Sequence, residues 1–124
     1  MLQDEELTEK IIGAAINVHK ELGPGYIESI YEEALCIELN HLRIPYERQK
    51  PVKVHYRDTQ VGDHRLDLLV YEKIVVELKA ISDLRNIHFS IVRSYLKALN
   101  LESGLLINFA DIPLTVKRVG REIY

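Results

Sequence analysis

At 124 residues the chain can build one hydrophobic core and not two, so a single domain over residues 1–124 is expected. Hydrophobic residues at 47% and charged residues at 28% are ordinary for a water-soluble globule. A net charge of −3 argues against a strong general affinity for polyanions. No run approaches the roughly eighteen apolar residues of a membrane-spanning helix. The acidic start, Met1-Leu2-Gln3-Asp4-Glu5-Glu6, lacks the positive region of a signal peptide, and the cytosol is the expected compartment. Cys36 is alone, which excludes an internal disulfide, and no Cys/His group has zinc spacing. The charge is uneven: Arg43, Arg48, Lys50, Lys53, His55 and Arg57 stand against only Glu47.

In chain order, Leu7, Ile11, Ala14/Ala15, Val18 and Leu22 recur at helical spacing, and Gly23-Pro24 ends that helix. His19, on the side of Ala15 and Leu22, reads as a packing or capping residue. A second helix opens at Gly25-Tyr26-Ile27-Glu28-Ser29-Ile30-Tyr31 and runs to about Leu42. Its expected apolar face is Ile27, Ile30/Tyr31, Ala34/Leu35 and Leu39/Leu42, with Glu32, Glu33 and Glu38 turned away. Glu28 borders that inward face, although an acid in a first turn is also favoured by the helix dipole wherever it points.

Tyr46 to Tyr56 reads as a strand disturbed at Pro51. A turn-rich stretch, Arg57 to Gly62, leads into two strands around Tyr71-Glu72-Lys73. A third helix is expected from Asn86 to Leu99, with Ile87, Ile91, Tyr95 and Ala98 on one side and Val92, Leu96 and Leu99 beside them. Leu105 to Phe109 comes next as a buried strand, placed by the helical crossover parallel to a neighbour. A last strand spans roughly Leu114 to Tyr124. No glycine-rich phosphate loop follows a strand.

The central hairpin carries the chemistry. Leu66, Leu68 and Val70 alternate with Arg65, Asp67 and Leu69, and Ile74, Val76 and Leu78 alternate with Val75, Glu77 and Lys79. A common apolar face requires Val70 to oppose Ile74, which sets Asp67 opposite Glu77 with Lys79 two residues on. Two carboxylates facing each other disfavour a sheet by about 0.2–1 kcal/mol. Either Lys79 neutralises two solvated acids, or a hard divalent cation such as Mg²⁺ sits between them, with the lysine beside the water or phosphorus charge that such a cation serves.

Two stretches resemble known proteins. Gly25-x-x-Glu28-x-x-Tyr31, preceded by Val18-His19-Lys20-Glu21-Leu22-Gly23-Pro24, resembles the signature of the prokaryotic GxxExxY proteins. Asp67 followed by Glu77-Leu78-Lys79, with the His88…Tyr95-Leu96-Lys97-Ala98 segment, resembles the core of the PD-(D/E)xK nuclease superfamily. The resemblance covers about Leu7 to Phe109. It implies an α/β fold with a restriction-endonuclease-like core, a mixed central sheet flanked by helices in the order ααβββαββ. It further implies that Asp67, Glu77 and the Leu78 carbonyl hold Mg²⁺ or Mn²⁺, that Lys79 positions or activates water, and that Glu28 approaches as a further acid. The implied activity is metal-dependent hydrolysis of nucleic acid, DNA before RNA, by a chain that could act as a homodimer on a duplex. One departure stands out: relatives carry glutamine where this chain has Ile91. That loss, together with the acidic net charge, keeps open the alternative of an inactive nuclease-fold module that binds nucleic acid or a protein.

Overall fold

The computed structural model describes residues 4–121. Two helices, α1 (Asp4–Leu22) and α2 (Glu28–His41), precede three strands, β1 (Tyr46–Tyr56), β2 (Thr59–Val70) and β3 (Ile74–Lys79). Helix α3 (Asn86–Leu99) then crosses to β4 (Ser103–Asn108), and β5 (Thr115–Gly120) is the last strand among the described residues. The strands lie in the order β1-β2-β3-β4-β5, antiparallel except for the parallel β3/β4 pair. This is the mixed, helix-flanked α/β sheet of a restriction-endonuclease-like fold, in the order ααβββαββ.

Both faces of the sheet are covered. On one, Leu7, Ile11, Ala15 and Val18 of α1 and Tyr31, Leu35 and Leu39 of α2 pack on Leu68, Val70, Ile74, Val76, Leu78, Leu105 and Ile107. On the other, Val92, Tyr95 and Leu96 of α3 pack on Val52, Leu66, Leu69, Val75, Leu106 and Val119. The strands buried on both sides therefore read as nearly continuous apolar runs.

Several local expectations change in three dimensions. Ile27, Ile30 and Leu42 of the expected α2 face are exposed, whereas Glu32 is buried. On α3 the buried line is Val92, Tyr95 and Leu96, while Ile87 is exposed and Ala98 faces away from the core. The turn before β2 is only Arg57-Asp58, both at positive φ, so β2 starts at Thr59 within the stretch read as a turn. Pro51 pairs regularly with Arg65; β1 is instead disturbed at Gln49, whose φ is 49°, and between Val54 and His55. Residues 122–124 of the expected last strand lie outside the described residues.

The corner between α1 and α2 is fixed by Tyr31. Its hydroxyl donates to the Gly23 carbonyl (2.7 Å) and accepts from the Tyr26 N–H (3.2 Å). Its ring stacks on Phe109, with centroids 4.4 Å apart and planes 8° from parallel. The start of α2 is thereby tied to the residue just beyond β4, at the end of the sheet where β3 also finishes. His19 stands 6.3 Å from Phe109 on the same side, in the packing position its spacing implied.

Two glycines separate crowding from propensity. A Cβ on Gly104 would lie 2.8 Å from Val92 Cγ1 and 3.3 Å from the Val75 carbonyl, whereas one on Gly13, in the exposed middle of α1, meets nothing within 4 Å. Gly104→Ala is expected to destabilise the fold by about 1–3 kcal/mol through overpacking. Gly13→Ala should stabilise it by up to about 1 kcal/mol through helix propensity. Urea denaturation of the two variants measures both.

Candidate active site

The register places Leu68 opposite Val76, Leu69 opposite Val75 and Val70 opposite Ile74, the pairing that a shared apolar face demanded. Lys73 donates its N–H to the Val70 carbonyl (3.0 Å), and Tyr71 and Glu72 take left-handed backbone angles. The three-residue loop therefore sets the register as expected, and Asp67 and Glu77 come next after the last ladder pair.

At that level the sheet is not regular. Leu66 packs with the α3 cluster, although Leu68 and Val70 pack under α1 and α2, so the alternation of β2 inverts at Asp67. The expected single face of Leu66, Leu68 and Val70 is thus broken. β1 inverts at the same place. Arg48, opposite Leu68, reaches acids of α2, while Lys50 lies opposite Leu66, and Gln49 between them holds the left-handed backbone.

The carboxylates fill the gap. Asp67 Oδ2 accepts from the Leu78 N–H (2.8 Å), and Glu77 Oε1 accepts from the Asp67 N–H (3.0 Å). Each acid crosses to the other strand's backbone, so the side chains lie between separated strands and do not stand side by side on a solvated wall. Glu77 is only 6% exposed, which removes the reading of two solvated acids.

Burial, then the Asp67 carboxylate, pushes Glu77 up to about 8, against the pull of the Asp67 N–H and of Lys79. Asp67 is also raised, first by burial, with the Leu78 N–H opposing and Glu32 and Glu28 adding to the rise. Tyr95 below them is pushed up to about 12 by burial and by the charge of both acids. Its hydroxyl donates to the Arg65 carbonyl (3.2 Å).

Lys79 is half-buried and pulls on Glu77 without an ion pair inside 4 Å among the described residues. The backbone on either side of it is held. Phe109 donates its N–H to the Lys79 carbonyl (2.8 Å). Asn108, fully buried, accepts from the Ile81 N–H (3.1 Å) and donates to the Ile81 carbonyl (2.9 Å). Because the Lys79 carbonyl faces β4, the preceding Leu78 carbonyl turns the other way, the side on which the Leu78 N–H meets Asp67.

The groups that would hold a metal here are two carboxylates and one carbonyl, all hard oxygen. No three Asp, Glu, His or Cys side chains among the described residues converge into a closed metal cage. That composition suits Mg²⁺ or Mn²⁺, which keeps water and substrate oxygens in its shell, and does not suit a protein-only structural site. Glu28, half-buried in the first turn of α2, acts on both acids through space but does not complete a three-carboxylate cluster.

Two further residues were not singled out from the sequence. Glu32 accepts from Gln49 Nε2 (2.6 Å) and from Arg48 Nε (3.0 Å), and Gln49 Nε2 also lies 3.3 Å from Asp67 Oδ1. The spacing Glu28/Glu32 was a signal in the sequence, since residues four apart share a helix face. Gln49 carried no such signal. Ile91 is half-buried against the α3-side core.

A carboxyl whose folded value lies above its unfolded one holds its proton more tightly when folded. Its contribution is therefore lost as pH rises. Without divalent metal, the protein should lose stability on the order of a few kcal/mol between pH about 4.5 and about 8, the ordinary and the raised values of Glu77. Glu77→Gln should flatten that slope, which chemical denaturation across the pH range in EDTA would measure. An unchanged slope in the variant would contradict the assignment to Glu77.

No curated protein matches the chain. Among solved structures, that of SSO0001 superposes with a TM-score of 0.60 at 19% identity, over 77% of this chain and 50% of that one. The likeness is one of fold, and the chain spans about half the length of that protein. A family model described as the PD-(D/E)XK nuclease superfamily matches residues 5–119, which contain the crossed carboxylates, Lys79 and nearly the whole sheet. By that match, the chain belongs to the PD-(D/E)XK nuclease superfamily.

Proposed function

We propose that this chain is a metal-dependent nuclease that hydrolyses phosphodiester bonds of DNA. Asp67, Glu77 and the Leu78 carbonyl hold Mg²⁺ or Mn²⁺, Lys79 positions the attacking water, and Glu28 lends further negative charge. The observation that carries the reading is the exchange of Asp67 and Glu77 across the parted strands. The buried Glu77 carboxylate, whose proton affinity is raised by burial and by the half-buried Asp67 beside it, supports a site where a divalent cation would replace that proton.

When bound, the ion supplies Lewis acidity and charge neutralisation at the phosphoryl group. The remaining work falls to side chains. Glu77 and Asp67, each held by the other strand's backbone, would hold the ion. The Lys79 ammonium, on the strand that carries Glu77, donates to the attacking water and to the phosphoryl oxygen that gains charge. Glu28, in the first turn of α2, acts through space on both carboxylates and can take a proton from that water.

The Gly25-Tyr26-Ile27-Glu28-Ser29-Ile30-Tyr31 stretch supports placing the chain with the prokaryotic GxxExxY proteins, as one cytosolic domain over residues 1–124. No helix among the described residues is long and apolar enough to cross a membrane. The half-buried Ile91, packed among apolar neighbours, favours a second reading: a nuclease-fold module that binds nucleic acid or a protein without cleaving.

Glu77→Ala should abolish both Mn²⁺ binding by calorimetry and Mn²⁺-dependent cleavage of labelled DNA. Lys79→Ala should retain Mn²⁺ binding and lose cleavage by a factor of at least about 10², the ordinary contribution of a positioned proton-transfer group. Full activity in Lys79→Ala excludes this mechanism. Absence of Mn²⁺ binding by the unaltered protein leaves the binding module.

A further inference from the structure

The carboxamide of Gln49 stands between two carboxylates that belong to different elements. Its Nε2 lies 2.6 Å from Glu32 Oε1 on α2 and 3.3 Å from Asp67 Oδ1 on β2. The chemistry fixes which end of the amide points there: two acceptors demand the NH₂, which has two hydrogens to give, and exclude the oxygen. Glu32 is 6% exposed and is held from its other side by Arg48, whose Nε and Nη2 both reach Oε2 at 3.0 Å. It is therefore a fixed, charged acceptor, and the short bond to it anchors the amide.

The backbone is bent to make this reach. Gln49 has φ of 49°, a left-handed conformation that a glutamine does not favour. It occupies the position of β1 opposite Asp67, between the pairs Arg48–Leu68 and Lys50–Leu66. The kink in β1, the inversion of β2 at Asp67 and the end of the β2/β3 ladder all fall at one level of the sheet.

We infer that Gln49 is a positioning residue, which transmits the fixed placement of Glu32 on α2 to the Asp67 carboxylate and holds that carboxylate in the orientation a divalent cation needs. Asp67 is then constrained at both oxygens, Oδ2 by the Leu78 N–H and Oδ1 by the Gln49 amide. The inference rests on the metal reading above for its purpose and on hydrogen bonds for its geometry.

The left-handed backbone allows positioning to be separated from folding. Glycine adopts such a conformation freely and asparagine tolerates it, yet neither can span Glu32 and Asp67. Gln49→Gly and Gln49→Asn should therefore keep the melting temperature of the unaltered protein or raise it by a few degrees. Both should weaken Mn²⁺ binding about tenfold or more by calorimetry, the usual effect of losing a group that orients a metal ligand. A crystal structure of Gln49→Gly should show the Asp67 carboxylate turned from its present position. Variants that bind Mn²⁺ within about twofold of the unaltered protein, with Asp67 unmoved, overturn the inference. If the unaltered protein takes up no Mn²⁺, the metal reading falls, and the orientation of Asp67 in Gln49→Gly decides alone for or against Gln49.

Discussion

The site depends on a substitution of partners. Between β2 and β3 the main-chain ladder stops after Leu68 and Val76, and two side-chain bonds take its place, Asp67 Oδ2 to the Leu78 N–H and Glu77 Oε1 to the Asp67 N–H. A buried N–H left without an acceptor costs about 1–3 kcal/mol. The acids therefore do two things at once, satisfying the backbone where the strands part and standing in the space the parting creates. A neutral apolar pair at 67 and 77 would let the ladder continue and close that space.

Once the strands part, the surroundings are obliged to hold them there. The α1/α2 corner, clamped by Tyr31 against Phe109, brings the start of α2 over this end of the sheet. Asn108 binds the chain that leaves Lys79. Glu32 and Arg48 form a charged brace between α2 and β1, from which the Gln49 amide extends to Asp67. Such a brace around a distorted backbone is how sparsely populated φ/ψ values persist in a folded protein. The third helix contributes an apolar side chain at Ile91, so the polar contact to Asp67 from outside the hairpin comes from β1.

The electrostatics have the same geometric origin. Burial raises the proton affinity of both carboxylates; the Asp67 charge adds to the rise at Glu77, and Glu32 and Glu28 add to it at Asp67. Lys79 offsets part of this at Glu77 without forming a direct ion pair among the described residues.

Periodicity and short loops were enough to specify much of the fold before any contact between distant residues is considered. The period of two in 66–70 and 74–78, with a three-residue loop, opposes Val70 and Ile74 and so brings residues 67 and 77 together. The bounds of β1 and α3 and the parallel placement of β4 were also legible, because they rest on local pattern and on the length of a crossover. Tertiary packing alone settles that β2 inverts at Asp67, that Glu32 is buried while Ile27 and Ile30 are exposed, and that Gln49 bends out of β1 to meet two acids. Those outcomes arise where three strands and a helix compete for the same few hydrogen-bond acceptors. No window of neighbouring residues contains that competition, because Glu32, Gln49, Asp67 and Glu77 meet only once the sheet is assembled.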